Sequence, residues 1–163
     1  LDVTLSAADH FGLTIDQAVD FMATEGAATL NSASNVPEVL SSWSSHVKSW
    51  TQNPHPALLV LRYEDMLENP KDAFSRVVSF LRLPPSPQRL DKALRFSSFK
   101  ELSKQEKKAG FRERSQNSQS FFRVGRRDQW REVLTRDQIA RIVELQGAQM
   151  RRFGYIPDGV AAG

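Results

Sequence analysis

A short basic stretch with a single glycine, Ser120 to Thr135, is the part of the sequence best suited to bind an anion. It reads SFFRVGRRDQWREVLT, so that Gly125 stands between Arg123 and Arg126. Guanidinium groups bind phosphate with two parallel hydrogen bonds, and a glycine lets the backbone approach an anion closely. These residue types in this order predict a phosphate-binding loop. An exposed basic loop without a ligand has the same composition and is the alternative on local evidence.

The overall composition is typical of a globular domain and offers few other kinds of chemistry. The chain has 163 residues, of which 40% are hydrophobic and 25% are charged. No apolar run approaches the ~20 residues that span a bilayer. The chain has no cysteine, and its three histidines lack the spacing of metal ligands. We therefore expect a cytoplasmic protein without a membrane span, a disulfide or a metal site.

Charge is distributed unevenly along the chain, although the formal net charge is only +3. Basic residues outnumber acidic ones from Lys104 to Arg152, whereas the segment from Asp16 to Glu38 has acidic residues and no lysine or arginine. Such asymmetry indicates an anionic partner for the C-terminal half. A nucleotide, a sulfated product and a nucleic acid are all compatible with it.

A second segment, Leu58 to Pro70, gives the basic stretch a wider context. It reads LLVLRYEDMLENP, and it is followed by FLRLP and, at the end of the last predicted helix, by MRRFGY. Together with the basic stretch and the opening LDVTLSAADHF, these segments resemble the C-terminal half of the sulfotransferases that use 3'-phosphoadenosine 5'-phosphosulfate (PAPS). In that family YED follows a strand, and a later loop reads roughly RKGxxGDW. The resemblance extends from Leu1 to about Tyr155.

The resemblance implies an α/β, P-loop-like fold, of which this chain is a mostly helical C-terminal portion. Residues 1–157 are then part of a single sulfotransferase domain, and residues 158–163 are a disordered tail. The sequence begins with Leu1 inside a predicted helix, which indicates a fragment of a longer chain. The family's phosphosulfate-binding loop and its catalytic histidine are expected upstream of Leu1.

The same resemblance implies which residues bind the 3'-phosphate of the nucleotide. Ser6 matches a family serine, and Arg123 and Gly125 match the first and third positions of RKG. Val124 replaces the lysine between them, and we expect Arg126 or Arg127 to supply the missing charge. The second glycine of the family loop is replaced by Asp128, so a different backbone is expected there.

The adenine is expected to contact Tyr63 of YED and the pair Ser97 and Phe99 in the SSFKEL segment. Phe121 and Phe122 have two possible roles, closing over the nucleotide or packing in a core. We assign no catalytic residue within this chain.

The function implied is transfer of a sulfuryl group from PAPS to a hydroxyl or amine of a small molecule. This portion is expected to bind the 3'-phosphate and the adenine and to be inactive by itself. The acceptor and the oligomeric state are not predicted, and we expect no nucleic-acid partner and no metal. Two alternatives are a basic helical module that binds nucleic acid or another polyanion through Lys104 to Arg131, and a helical scaffolding domain without a ligand.

Hydrophobic spacing and turn residues predict the elements that position these residues. Gly12 ends the first helix, and Thr14 and Thr135 are predicted N-caps, Thr135 with a capping box to Gln138. The continuous apolar run Ala57 to Leu61 predicts a strand buried in a parallel sheet, which requires neighbouring strands. Loops are expected at residues 26–35 and 106–120. Helices are expected at residues 1–11, 15–24, 37–52, 70–81, 88–95, 99–105 and 136–153.

Overall fold

The computed structural model describes residues 1–29 and 36–159, and the regular structure of these residues is helical. An isolated antiparallel bridge joins Ala28 to Val39. No helix in the described ranges is both long and apolar enough to cross a membrane. The helices are α1 (Asp2–Phe11), α2 (Ile15–Ala23), α3 (Trp43–Thr51), α4 (Tyr63–Glu68), α5 (Pro70–Phe80), α6 (Pro87–Phe96), α7 (Phe99–Ala109), α8 (Trp130–Val133) and α9 (Arg136–Arg152).

The chain divides into two compact units. Unit 1 consists of Leu1–Asn53 and Asp128–Gly163, and unit 2 consists of Pro54–Arg127. The prediction of a single domain over residues 1–157 stays a prediction. Residues 160–163 of the expected tail, and residues 30–35 of the expected loop, lie outside the described part of the chain.

Unit 1 has a hydrophobic core formed mainly by α9 and the helices packed against it. Helix α2 packs on α1, and α9 contacts both α2 and α3. Capping boxes begin α2 at Thr14, with Gln17, and α9 at Thr135, with Gln138. Gly12 ends α1 in the left-handed conformation, with φ 66°. The buried core residues are Val19, Trp130, Leu134, Ile142, Val143 and Met150.

A buried glutamine links three helices of unit 1. Gln146 of α9 is 5% exposed. Its Oε1 accepts hydrogen bonds from the backbone N–H and the hydroxyl of Ser44, at 3.1 and 2.5 Å. Its Nε2 donates to the carbonyl of Met22 at 3.0 Å. Both ends of this amide are therefore satisfied, as burial of a polar group requires.

Unit 2 is built from α4 to α7, each packed against the next. Pro70 and Pro87 occupy the first turns of α5 and α6, where a missing N–H has no cost. Lys71 and Asp91 form an ion pair between these two helices at 2.8 Å. The order of helices along the chain thus sets the order of contacts in this unit.

The predicted buried strand at residues 57–61 does not form in the described chain. A turn begins the segment, because His55 accepts the N–H of Ala57 on Nδ1 at 3.1 Å and the N–H of Leu58 on its carbonyl at 2.9 Å. Residues 58–62 then continue without regular secondary structure, and Val60 is 40% exposed. A strand requires a neighbour for its backbone groups, and the described residues provide no second strand.

Other helix boundaries also differ from the prediction. The helix expected from residue 37 begins at Trp43, because the preceding segment makes backbone hydrogen bonds to residues 27–29 instead. Helix α7 continues to Ala109, into the expected loop. The short helices α4 and α8 were not predicted, since six and four residues are too few to give a periodic pattern.

Candidate functional site

A carboxylate fixes the N-terminal side of the basic loop, which we define as residues 120–127. Glu106, near the end of α7, accepts the N–H of Phe121 on Oε1 at 2.6 Å and the N–H of Phe122 on Oε2 at 3.0 Å. The Glu106 residue is 9% exposed. The Phe121 N–H lowers the pKa of this carboxyl below its ordinary value, burial opposes the effect, and the Phe122 N–H and Arg114 add to it.

Glu106 was missed by the sequence analysis. It lies in a polar, basic segment that predicts a flexible loop, and its partners are 15 and 16 residues further along the chain. No local pattern marks a glutamate that will accept backbone N–H groups at such a separation.

The centre of the loop is in direct contact with Phe99. Gly125 has φ 64°, in the left-handed region that favours glycine. A Cβ atom at this position would lie 2.2 Å from Cδ2 of Phe99. The ring therefore occupies the space that any side chain at position 125 needs. The structure thus brings together Phe99 and Gly125, two of the predicted site residues.

Two successive backbone N–H groups in the loop have no hydrogen-bond partner among the described residues. The N–H of Arg123 donates to the carbonyl of Phe121 at 3.1 Å. The N–H groups of Val124 and Gly125 make no hydrogen bond to any described residue. Arg123 and Arg126 flank this pair, and both are exposed. Adjacent backbone donors between arginines can bind an anion.

The C-terminal side of the loop is fixed by an ion pair. Arg127 pairs with Glu68, at the end of α4. That Arg126 or Arg127 supplies the charge of the lysine absent at position 124 stays a prediction. Tyr63 begins the same helix and is 49% exposed, so its ring is accessible to a ligand.

Ser97 lies at the C-terminal end of α6 and is exposed. Its hydroxyl donates to the carbonyl of Ala93 at 2.9 Å. The lone pairs of that oxygen can still accept a hydrogen bond from a ligand N–H. Ser97 is therefore suited to accept from a ligand and not to donate to one.

Four phenylalanines pack together beside the loop. The ring of Phe122 lies 6.2 Å from Phe99, 5.1 Å from Phe111 and 5.1 Å from Phe121, and Phe111 lies 4.6 Å from Phe121. Phe121 nevertheless remains 45% exposed and Phe111 36% exposed. The two adjacent phenylalanines thus combine packing with accessible ring surface, and both predicted roles stay open.

In unit 1, another carboxylate fixes the turn that follows the loop. Asp2 of α1 accepts the N–H of Asp128 at 2.7 Å and the N–H of Trp130 at 2.9 Å. Asp128 has φ 61°. The backbone therefore adopts the left-handed conformation at Asp128, and the expected difference from the family loop stays a prediction. Aspartate tolerates this conformation better than most residues.

Ser6, the remaining predicted site residue, lies on α1 and is exposed. It is four residues beyond Asp2, so the two side chains are on the same face of the helix. That face is the one that contacts Asp128 and Trp130. Ser6 belongs to unit 1, whereas the other six predicted residues belong to unit 2.

The histidines and acids form no metal site in the described ranges, where no group of three or more potential ligands could hold an ion. His10, His46 and His55 are all exposed. The basic loop itself offers backbone N–H groups and guanidinium groups, which are donors that can bind an anion.

Comparison with known proteins gives the family. The profile described as Sulfotransferase domain matches residues 11–154. Sulfotransferase 1B1 of Canis lupus familiaris is 43% identical over 60 residues, which are 36% of this chain and 20% of that protein. Sulfotransferase 1E1 of Cavia porcellus is 37% identical over 62 residues, which are 37% of this chain and 21% of that protein. The Homo sapiens protein of the same name is 36% identical over 62 residues.

The matched segments span about a fifth of the length of these curated relatives. No solved structure matches the chain. The profile match covers most of the sequence and includes both the YED segment and the basic loop. On this evidence the chain belongs to the sulfotransferase domain family.

Proposed function

We propose that this chain is the nucleotide-binding part of a PAPS-dependent sulfotransferase, and that its basic loop binds the 3'-phosphate. The observation that carries the proposal is the pair of available N–H groups at Val124 and Gly125, between the exposed Arg123 and Arg126. Backbone N–H groups provide directed hydrogen bonds, and guanidinium groups add charge and a second pair of donors. A phosphate dianion can accept hydrogen bonds from both the N–H groups and the guanidinium groups.

The adenine half of the proposal concerns residues next to the loop. Phe99 offers a ring that already contacts Gly125, and the accessible ring of Tyr63 can pack against a base edge. Ser97 can accept a hydrogen bond from the exocyclic amine of adenine. Ser6 is proposed as a second donor to the 3'-phosphate.

In the reaction we propose, a hydroxyl or amine of a small acceptor attacks sulfur as the bond from sulfur to the bridging oxygen breaks. Adenosine 3',5'-bisphosphate leaves, and the proton of the acceptor goes to a base that these 163 residues do not supply. The residues of this chain bind and orient the nucleotide and have no assigned proton transfer. We therefore propose that the 163 residues bind nucleotide but do not transfer sulfuryl groups by themselves. A turnover assay on the chain alone checks this, and measurable transfer would contradict it. A cytoplasmic location is part of the same proposal.

The test of the nucleotide site is calorimetric titration of the chain with adenosine 3',5'-bisphosphate. Arg123→Ala should weaken binding by about 1.5–3 kcal/mol, the range for a hydrogen bond to a charged group. Arg112→Ala is the matched control, because Arg112 is also exposed but lies outside the basic loop. We expect it to leave the affinity within about twofold, since an exposed charge outside the site contributes little.

Failure of the wild-type chain to bind the bisphosphate would contradict the proposal. Equal losses in the two arginine variants would instead favour the polyanion-binding alternative, which is supported by the exposed Lys104, Lys107 and Lys108 of α7. That alternative predicts binding to any single-stranded oligonucleotide, with an affinity that falls steeply as salt increases. The nucleotide site predicts that the bisphosphate competes with such binding at the loop.

A further inference from the structure

We propose that Glu106 is a positioning residue for the nucleotide site, because it fixes the backbone that presents the anion-binding N–H groups. This inference rests on the proposed function. Glu106 does not itself contact the anion, and its carboxylate has the wrong charge to do so. Its role is to set the path of the chain two residues before the site.

The contact between Glu106 and the loop fixes the orientation of one peptide unit of the loop. Both carboxylate oxygens are used, each by a different N–H, at 2.6 and 3.0 Å. The two donors, on Phe121 and Phe122, are adjacent in the chain, so the peptide between them has a defined orientation. The chain then turns at once, since the N–H of Arg123 donates back to the carbonyl of Phe121 at 3.1 Å. Val124 and Gly125 follow directly.

Helix α7 contacts the loop at a second point. Phe99 and Glu106 are seven residues apart on α7, which places them two turns apart on the same face of the helix. The Phe99 ring lies against the backbone of Gly125, and Glu106 binds Phe121 and Phe122. One rigid helical face therefore contacts the loop on both sides of Arg123 and Val124. Two fixed points on one helix restrict the loop far more than either point alone.

Because Glu106 is negatively charged, its role can be tested by whether its removal strengthens or weakens nucleotide binding. A carboxylate in a segment that binds an anion opposes binding through the Coulomb interaction. If charge were its only influence, its removal would strengthen nucleotide binding. If Glu106 orders the loop, its removal weakens binding, because the ligand must then order the loop itself. The two interpretations predict opposite signs.

The experiment is titration of the Glu106→Gln chain with adenosine 3',5'-bisphosphate. Glutamine has nearly the same shape, but it retains one acceptor oxygen and places an NH2 donor opposite the second N–H. We expect binding about tenfold weaker than in the wild type. Glu113→Gln is the control, since Glu113 is exposed in the same unit and its removal changes the charge equally. The affinity of the Glu113→Gln chain for the bisphosphate should be unchanged or slightly higher.

A second variant covers the case in which Glu106→Gln disturbs the fold of unit 2. Glu106→Asp keeps the charge and both oxygens but shortens the side chain by one methylene. A positioning role therefore predicts weaker binding, whereas an effect of charge alone predicts no change in affinity. Exchange of the Phe121 and Phe122 amide protons, measured by NMR, reports the loop without any ligand. It should accelerate in both variants, while the amides of α5 and α6 keep their protection.

The outcomes separate this inference from the proposed function. If the wild type binds, Arg123→Ala does not, and both Glu106 variants bind like Glu113→Gln, Glu106 has no positioning role and the nucleotide site stands. If the wild type does not bind the bisphosphate, the proposed function fails. In that case, unchanged exchange of the Phe121 and Phe122 amides in the variants would also overturn the role of Glu106 in fixing the loop.

Discussion

Two glutamates, one in each unit, fix nearby segments of the chain through different kinds of donor. In unit 1, Glu25 accepts hydrogen bonds from three hydroxyls, those of Ser41 at 2.7 Å, Ser42 at 2.6 Å and Ser45 at 2.8 Å. These serines lower the pKa of the Glu25 carboxyl, with Ser42 contributing most, and burial opposes the effect. In unit 2, Glu106 instead accepts two backbone N–H groups of the basic loop.

The difference in donors corresponds to a difference in what is fixed. Ser42 is the N-cap of α3 and also accepts the N–H of Ser45, so Glu25 joins a cap to the chain after α2. A serine hydroxyl can rotate away from the Glu25 carboxylate, and a water molecule can then donate in its place. Glu106 determines the backbone itself, next to N–H groups that make no other hydrogen bond in the described chain. We therefore predict that loss of the first carboxylate changes stability alone, and that loss of the second also changes binding at the proposed site.

The largest effect is expected from Gly125→Ala, which breaks the second contact between α7 and the loop. The new Cβ would overlap the Phe99 ring at 2.2 Å and would also be strained at φ 64°. We expect unit 2 to lose about 3 kcal/mol of stability and nucleotide binding to become undetectable. Chemical denaturation and calorimetry measure the two effects.

Gly110→Ala is the matched control for this change. Gly110 has φ 76°, but a Cβ there would meet nothing within 4 Å. It should cost only the backbone strain of this conformation (ψ 175°), which glycine alone adopts readily, about 1–3 kcal/mol, and leave nucleotide binding intact. Equal losses of nucleotide binding in the two variants would show that contact between the loop and Phe99 has no importance.

A smaller effect is expected from Glu25→Gln, and it tests the contrast directly. One oxygen becomes an NH2 group that cannot accept from the serine hydroxyls, so the melting temperature should fall by a few degrees. Affinity for adenosine 3',5'-bisphosphate should not change, in contrast to the Glu106→Gln chain. Loss of affinity in the Glu25 variant would remove the distinction between a structural and a site-forming carboxylate.

The dependence of stability on pH should show what the two carboxylates share. Both have a pKa in the folded state below the ordinary value of about 4.3. Their contribution is therefore fully present above about pH 4.3 and is lost as the pH falls through the lower folded-state pKa. The difference in melting temperature between wild type and either glutamine variant should be constant from about pH 7 to 5 and shrink below that. A difference that grows on acidification would contradict the pKa directions.

The smallest effect is expected from Val124→Lys, which sharpens the site without changing its backbone. Val124 is 47% exposed, so a lysine can extend into solvent there. It restores the charge found in the family loop and should tighten bisphosphate binding by about 0.5–1 kcal/mol, the scale of an exposed ion pair. The gain should decrease as salt is raised from low to physiological concentration. No gain at low salt would place the phosphate away from position 124.

Local sequence predicted the elements whose signals are contained within one turn. Thr14 and Thr135 are both N-caps as predicted, and Thr135 forms the predicted capping box with Gln138; Thr14 also forms one, with Gln17. Gly12 adopts the left-handed conformation expected at the end of a helix. The apolar run at residues 57–61 was misleading, because an apolar run predicts burial and not the presence of a partner strand.

Resemblance to the family selected Arg123, Gly125 and Phe99, and the structure brings Phe99 and Gly125 into contact. It could not select Glu106 or Asp2. Each accepts two backbone N–H groups from a segment at least 15 residues away. Because nearly every residue has a backbone N–H, the residue type does not reveal which one donates. Their carboxylates are recognised only when both segments are seen together.

The sequence by itself determined where most helices begin and end, which family the chain resembles, and where arginines flank a glycine in the basic loop. Those properties depend on residue types within a few positions of one another. Tertiary structure decided how the basic loop is shaped, that Arg127 pairs with Glu68, and which loop N–H groups Glu106 accepts. Those properties depend on contacts between distant segments, where the donor is the backbone that every residue has in common.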